Sequence, residues 1–180
     1  MENGKVKTKY RLEKMKKTDL EWFLGIRNSA RQFLHNSRRF SQEECELWWE
    51  TEERDYRVIL IKEKKIGYFR IGRIENLNGA RLLWLGCDLD EKYRHQGHGF
   101  AAYKTFMPEL LEEFQVDGFV LRVKPNNIQA IKLYLKLGFE LAHLDFKFID
   151  QTQELQINDM SLSWRNTNVP EKFLDLVYKS

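Results

Sequence analysis

The chain has 180 residues, 42% of them hydrophobic, which predicts a single domain over residues 1–180 with a well-buried core. It carries 30 Lys and Arg against 27 Asp and Glu, and a net charge of only +3 argues against nucleic acid as a partner. No apolar run of 18 residues and no apolar signal segment occur, and the two cysteines are too few for a disulfide framework, so we expect a cytoplasmic protein with no membrane partner.

Hydrophobic spacing and turn residues predict the elements of this domain in chain order. Capping boxes at Thr18 and Ser41 mark two helix starts, and Pro108 should kink the longest helix. The predicted elements are a strand at 6–14, helices at 18–34 and 41–54, strands at 56–63, 65–75 and 80–89, a helix to about 115, a strand at 119–124, a helix at 127–137, strands at 139–149 and 154–165, and a short C-terminal helix at 169–178 within the appended segment 169–180.

This order of elements predicts an α+β fold of the α/β sandwich type. Its centre would be a mixed sheet of about seven strands, flanked by helices. The short C-terminal helix would either pack on the domain or form the contact of a homodimer. The sequence does not decide between these two arrangements.

The residues from Arg94 to Gly99 form a glycine-rich turn between a buried strand and an amphipathic helix. Gly97 and Gly99 have no Cβ, so their amides can approach a ligand closely. The first amides of a helix have no partner within it, and the helix dipole favours negative charge. A diphosphate therefore suits this turn, where Arg94 adds a positive charge.

Other interpretations of the turn are possible from the sequence. It could be a tight connection that binds nothing. It lacks the G-x-x-x-x-G-K-S/T pattern of nucleotide triphosphatases, and it meets the dinucleotide fingerprint only loosely, with Ala102 in the third glycine position and no acid where the next strand ends at Lys124. His95 and His98 have no third ligand in the same turn, so no metal is expected.

A second motif follows on the predicted helix that carries Tyr134 and ends at Gly138. The turn, Arg94-x-x-Gly97-x-Gly99, resembles the acetyl-CoA loop of the GNAT superfamily of N-acetyltransferases. The helix is similar to that superfamily's second motif at almost every position. The matching residues are Asn127, Ala130, Leu133, Tyr134, Lys136, Gly138 and Phe139, and the specific part of the resemblance lies within residues 82–140.

The resemblance implies direct transfer of an acetyl group from acetyl-CoA, as cosubstrate, to a primary amine in a ternary complex without a metal. The strand ending at Leu89 would splay from its neighbour, and the Leu89 amide would bond the thioester carbonyl or the pantetheine arm. Asn127 would contact the pantetheine or the start of its own helix. Tyr134 would protonate the leaving thiolate as general acid; otherwise it is a core tyrosine. The implied cofactor-binding residues are Leu89, Arg94, His95, Gln96, Gly97, His98, Gly99, Asn127 and Tyr134.

The general base that would deprotonate the amine is not identified by the sequence. Asp88 leads because it lies beside Leu89. Cys87, on a buried strand, is expected to pack as a small hydrophobic residue rather than act as a nucleophile. The other candidate bases are Glu75, His35, His143 and a chain of water molecules.

The acceptor is suggested by residues 27–40, which contain four arginines and no acid. These residues either form solvated helix faces or bind an anionic acceptor with their guanidinium groups. The predicted substrate-binding residues are Arg27, Asn28 and Arg31. This segment resembles the start of GNAT enzymes that act on nucleotide-linked amino sugars and, less closely, of those that acetylate ribosomal-protein N-termini. A non-catalytic acyl-CoA-binding module is the alternative from a different class.

Overall fold

The computed structural model describes residues 9–34, 36–51, 55–77, 79–142, 155–157, 162–164 and 174–180. Its strands are β1 (Tyr10–Lys14), β2 (Asp55–Ile61), β3 (Lys64–Leu77), β4 (Ala80–Leu89), β5 (Gly118–Val123), β6 (Glu140–Ala142), β7 (Leu155–Ile157), β8 (Leu162–Trp164) and β9 (Leu174–Lys179). Its helices are α1 (Leu20–Ser29), α2 (Gln42–Thr51), α3 (His98–Phe114) and α4 (Ile128–Lys136). Within these described ranges, no helix is both long and apolar enough to cross a membrane.

A mixed sheet organises the described part of the chain, with seven strands in the order β1-β2-β3-β4-β5-β9-β6. Every neighbouring pair is antiparallel except β4 and β5, which are parallel. A parallel pair needs a crossover, and α3 lies between these two strands in the chain. The predicted mixed sheet of about seven strands, with the first strand at its edge, is confirmed.

Helices cover both faces of this sheet because its strands alternate their side chains between two cores. One core packs Phe69 and Leu85 against Tyr103 and Phe106 of α3. The other face packs Tyr68 against α1 and α2. Neighbouring positions 68 and 69 of β3 thus point into opposite cores, as the period of two in a strand requires.

The C-terminal segment corrects one prediction, because residues 174–179 form β9 rather than part of a helix. β9 pairs with β5 over six residues and with β6 over three. Its backbone therefore finds partners on both sides, and these long-range pairs override the local spacing that suggested a helix. Leu174, Leu176 and Val177 are buried there.

One of the two predicted capping boxes forms. At α2, the Ser41 hydroxyl accepts from the amide of Glu44 (3.2 Å) and the Glu44 carboxylate accepts from the amide of Ser41 (2.8 Å), which confirms the capping box. The box at Thr18 was wrong, because the Asp19 carboxylate accepts from the amide of Lys16 (2.8 Å) instead. Helix α3 continues past Pro108, and its kink stays a prediction. Much of the predicted strands at 139–149 and 154–165 lies outside the described residues.

Candidate active site

An opening lies between β4 and β5, the two parallel strands. They pair only from Leu82 to Trp84 on β4 and from Gly118 to Val120 on β5. Both strands then continue, β4 to Leu89 and β5 to Val123. Beyond the third pair the two strands separate, so within the described part of the chain the backbone groups of β4 have no neighbouring strand on that side.

The Leu89 amide points toward this opening. Leu89 lies opposite Gly67 of β3, and the amide of Asp90 donates to the carbonyl of Ile66 (2.9 Å). This hydrogen bond identifies Gly67 and Leu89 as a non-hydrogen-bonded pair, whose own amides and carbonyls point away from the partner strand. The Leu89 amide therefore faces the gap that opens where β5 no longer pairs with β4.

The turn after β4 presents a row of unbonded amides at the start of α3. His95 and Gly97 take positive φ angles, +60° and +80°, and the turn from His95 to Gly97 is exposed. Among the described residues, the first backbone bond of the helix runs from the amide of Ala101 to the carbonyl of Gly97 (3.0 Å). The amides before Ala101 therefore project from a helix N-terminus, where an anion is favoured.

Arg94 holds the strand end rather than standing free at the mouth of the turn. Its Nε donates to the carbonyl of Leu89 (2.9 Å), and one Nη donates to the hydroxyl of Ser29 on α1 (2.8 Å). Gln96 is also engaged, since its side-chain amide donates to the carbonyl of Lys92 (2.7 Å). Arg94 thus ties α1 to the last residue of β4.

His98, on the first turn of α3, bonds to the edge strand. Its Nδ1 lies 3.0 Å from the hydroxyl of Tyr10, and its ring packs edge-on against Tyr10 and Tyr93. Partial burial lowers the pKa of His98, and nearby Lys9 adds to this effect. A neutral imidazole is therefore the form that fits this aromatic contact.

Gly99 is where the turn, β4 and α4 meet. A Cβ placed on Gly99 would lie 3.3 Å from Cδ2 of Leu133 and 3.7 Å from Cδ1 of Leu89. Leu133 immediately precedes Tyr134 on α4. The close packing at this glycine brings together the strand end, the turn and the tyrosine helix, which the sequence predicted as one site.

Asn127 begins α4, where its side-chain oxygen accepts from the amide of Ala130 (3.3 Å). Of the two roles implied for Asn127, the contact with its own helix is therefore present. The helix ends beside Gly138, whose φ of +92° is typical of a residue that closes a helix.

Tyr134 is buried between α3 and the sheet. Its ring contacts those of Tyr103 and Phe139, each with a centroid distance of 5.7 Å. Burial raises the pKa of Tyr134, and the neighbouring Cys87 thiol adds to this. The phenol is therefore fully protonated at neutral pH and able to donate a proton.

Cys87 lies on β4 and packs against the main core, as predicted. Burial raises the pKa of its thiol, with a further contribution from the Asp88 carboxylate. A thiol held in its protonated form is a poor nucleophile, which agrees with a packing role.

The four candidate bases lie in different places. Asp88 forms an ion pair with Arg70, with 3.3 Å between Oδ2 and Nε, and both atoms are buried without a hydrogen-bond partner among the described residues. Glu75 accepts a hydrogen bond from the indole of Trp84 (2.6 Å). His35 and His143 lie outside the described residues. Of the two described carboxylates, only Asp88 adjoins Leu89.

The residues predicted to bind the acceptor mostly hold a loop. The Arg27 guanidinium donates to the carbonyls of Asn36 (2.7 Å) and Arg38 and stacks on the ring of Phe40, 3.8 Å from its centroid. The Asn28 side chain bonds both the amide and the carbonyl of Phe40 (3.0 and 2.9 Å). Arg27 and Asn28 therefore have structural partners that explain their presence without a ligand.

Arg31, the third predicted acceptor residue, is exposed on a single turn of 3-10 helix, Arg31–Phe33. None of the three predicted residues lines the groove described next.

A groove of about 830 Å³ lies along β3, β4 and β5, and the sequence did not suggest it. Its polar and aromatic lining includes Arg70, Arg73, Trp84 and Arg122. Gly86 also lines it, directly opposite Arg70 in the β3–β4 register. Positions 84, 86 and 88 of β4 lie on the same face of the sheet, because side chains alternate along a strand. This period of two is the sequence signal that could have predicted a groove beside Asp88.

Among the described residues, no group of three His, Cys, Asp or Glu side chains is placed to hold a metal ion. The opening is bordered by the Leu89 amide and by the turn at the start of α3, and Gly99 of that turn packs against Leu133, the residue before Tyr134.

Comparison with known proteins agrees with this geometry. The model of the Acetyltransferase (GNAT) family matches residues 22–139, about two thirds of the chain. A curated relative, the spermine/spermidine N(1)-acetyltransferase of Bacillus subtilis, is 35% identical over 74 residues, which are 40% of this chain and 47% of that protein. The chain thus spans about half the length of the curated relative it matches.

Solved structures share the fold at low sequence identity. A ribosomal-protein-alanine N-acetyltransferase from Brucella melitensis is 17% identical, with a TM-score of 0.65 over 94% of this chain and 99% of that chain. YncA of Salmonella typhimurium, solved with acetyl-CoA, is 16% identical, with a TM-score of 0.60 over 95% and 92%. Together with the family match over residues 22–139, these likenesses confirm the sequence resemblance: the chain belongs to the GNAT family of acetyltransferases.

Proposed function

We propose that this protein transfers an acetyl group from acetyl-CoA to a primary amine by direct attack in a ternary complex. One observation supports the proposal: packing at Gly99 brings the end of β4 at Leu89 and the turn with its unbonded amides against Leu133, the residue before the protonated Tyr134. This set supplies a donor for a carbonyl oxygen, a site for an anion and an acid. Acyl transfer from a thioester that carries a diphosphate needs all three.

The chain's residues fit acetyl-CoA at two points. The amides of the turn from His95 to Gly99 would hold the pyrophosphate at the N-terminus of α3. The Leu89 amide would donate to the thioester carbonyl oxygen and stabilise the negative charge that develops there. Acetyl-CoA supplies an acetyl group already activated as a thioester. Arg94 supports both points, because it fixes the carbonyl of Leu89 and lies directly before the turn.

Tyr134 would complete the reaction as general acid. Because its pKa is raised, it keeps its proton at neutral pH and can pass that proton to the departing thiolate. Tyr103 beside it supports the ring, and its own hydroxyl has no hydrogen-bond partner among the described residues.

Asp88 remains our proposed base for the amine. It follows the groove-facing positions of β4 and adjoins Leu89, so an amine that approaches the thioester from the groove would pass its carboxylate. Proton transfer through water to Asp88 requires no further residue.

The acceptor we propose is a nucleotide-linked amino sugar, as the sequence first suggested. Its support is now the arginine-lined groove rather than Arg27 and Asn28. A ribosomal-protein N-terminus is the second candidate, favoured by the fold shared with the Brucella melitensis enzyme. The Bacillus subtilis relative is named for polyamines, which makes spermidine the third acceptor to test.

The test is release of CoA thiol from acetyl-CoA with a panel of nucleotide amino sugars, spermidine and basic peptides. Tyr134→Phe should lower kcat by about 10²-fold or more, the range typical of a lost general acid, and should leave the Kd for CoA unchanged. Tyr103→Phe is the matched control, since it removes a neighbouring buried hydroxyl and should retain most of the activity.

If wild type binds CoA but releases no thiol with any amine, the protein is an acyl-CoA-binding module. Equal activity of Tyr134→Phe and wild type would remove Tyr134 from the chemistry.

A further inference from the structure

The groove over Arg70, Trp84 and Arg122 carries an inference about the acceptor, and it rests on the proposed function. Three ion pairs at this groove share an orientation. Arg70 is 40% exposed and its partner Asp88 13%; Arg122 is 43% exposed and Asp175 5%. The exposed fraction of Arg73 is 76%, against 42% for Glu75. In each of these three pairs the guanidinium is the more exposed member, whereas Asp55, which also lines the groove, is more exposed than its partner Arg57 (26% against 18%).

Two of these acids, Asp88 and Asp175, are largely inaccessible and hold their arginines in place while leaving the guanidinium groups partly exposed. Asp175 of β9 binds Arg122 through two hydrogen bonds (2.6 and 2.7 Å). The Arg70 guanidinium lies flat over Gly86. A Cβ placed on that glycine would lie 2.9 Å from its Nη2 and 3.1 Å from its Cζ and Nε, so only glycine leaves room for it. Guanidinium groups fixed in this way meet a carboxylate or phosphate at a small cost in side-chain entropy.

Trp84 gives the groove an apolar wall between two of these cations. Its indole nitrogen is fixed by Glu75 (2.6 Å), and the guanidinium groups of Arg122 and Arg73 lie 5.4 and 5.9 Å from its ring centroid. The ring thus offers an apolar surface to a bound molecule, with positive charge on its flanks.

The groove also sets the separation of the two ends of the acceptor. Arg70 lies opposite Gly86, three residues before Leu89 on β4, so the backbone position beneath the cation and that of the reacting end are about 10 Å apart at roughly 3.4 Å per residue. We propose that the groove binds the distal anionic group of the acceptor, a carboxylate or a phosphate about 10 Å from the amine, and so selects anionic acceptors over polyamines.

Four synthetic acceptors that share a primary amine on an eight-carbon chain test this: 8-aminooctanoate, 8-aminooctyl phosphate, 1,8-diaminooctane and octylamine. Only the distal group differs, being carboxylate, phosphate, ammonium or methyl. The kcat/KM for thiol release should be at least about tenfold higher for one of the two anions than for the diamine, as one charge-assisted bond predicts. The ratio between the first two compounds separates carboxylate from phosphate recognition.

Arg70→Gln and Arg73→Gln should each lower kcat/KM for the preferred anion by several-fold. Arg73→Gln should leave kcat/KM for octylamine unchanged, whereas Arg70→Gln also removes the ion-pair partner of the proposed base Asp88 and should lower kcat/KM for every acceptor. Arg81→Gln is the matched control, an exposed arginine of β4 that lies outside the groove lining. Arg73 is well exposed, so its variant stays informative even if Arg70→Gln does not fold. Equal kcat/KM for all four acceptors, or a preference for the diamine, overturns the inference.

Calorimetry of the same four compounds with CoA-saturated protein separates this inference from the proposed reaction. Saturating CoA keeps the pyrophosphate turn occupied, so the anions report on the groove. Tighter binding of an anion without thiol release from acetyl-CoA would contradict the proposed function and retain the anionic groove. Equal binding of all four, or tighter binding of the diamine, would overturn the groove.

Discussion

Gly97→Ala tests whether the turn at the start of α3 binds CoA through its amides. Gly97 has φ of +80° and no atom within 4 Å of a Cβ placed on it, so the substitution changes only the preference of the backbone. A left-handed conformation costs a residue with a Cβ about 1–2 kcal/mol. Part of this cost is offset, because alanine lowers the conformational entropy of the unfolded chain relative to glycine. The net loss of stability should be about 1 kcal/mol.

That loss corresponds to a fall in Tm of roughly 2–4 °C for a chain of this size. The effect on CoA should be larger, because a shifted peptide turns amide donors away from the pyrophosphate. One lost bond to a charged group is worth about 1.5–3 kcal/mol, so the Kd for CoA should rise roughly 10- to 150-fold. Calorimetry with CoA measures this directly, and thermal unfolding without ligand measures the stability.

Gly79→Ala is the matched control for this prediction. Gly79 has φ of +82° and likewise no atom within 4 Å of a placed Cβ, but it lies in the turn between β3 and β4, away from the opening. It should lose the same stability and bind CoA as wild type does. Equal CoA affinities in the two variants would refute the role of the turn.

Two further predictions concern the strand end and the buried phenols. Arg94→Ala should lower kcat/KM about tenfold, because it removes the hydrogen bond to the carbonyl of Leu89. Ser29→Ala is the control, since it removes only the bond from Arg94 to α1. Equal losses of kcat/KM in the two variants would assign the effect to the contact with α1. Burial raises the pKa values of Tyr68, Tyr103 and Tyr134. Above about pH 10 the unfolded chain therefore loses phenol protons that the folded state keeps. The free energy of unfolding should fall in this range by about 1.4 kcal/mol per pH unit for each phenol. Urea unfolding of wild type and Tyr134→Phe should show a shallower slope in the variant, and identical slopes would contradict this.

The sequence located the turn and the tyrosine helix because each depends on neighbours in the chain. Gly97 marks a positive φ, Gly138 closes α4 and Asn127 caps it, all within one or two turns of backbone. The capping box at Ser41 is equally local and was also confirmed. Such patterns can be read without knowing what packs against them.

Long-range partners could not be read in this way. A helix was predicted where β9 forms, because its partners β5 and β6 are distant in the chain. The roles of the arginines depend on partners too. Arg27 binds the carbonyls of a loop about ten residues away, whereas Arg122 faces the groove because Asp175 of β9 holds it. Counting arginines in one segment could not distinguish these two environments.

The position of β9 between β5 and β6 affects the order of folding. β5 and β6 are about 17 residues apart in the chain but do not pair with each other. Both pair instead with β9, which begins more than thirty residues after β6. Closing that long loop costs chain entropy before any of the nine register pairs forms, which is typical of a slow folding step. β5 is also one wall of the opening beside Leu89. We therefore expect this half of the site to become rigid late, after β1 to β4 have formed their hairpins.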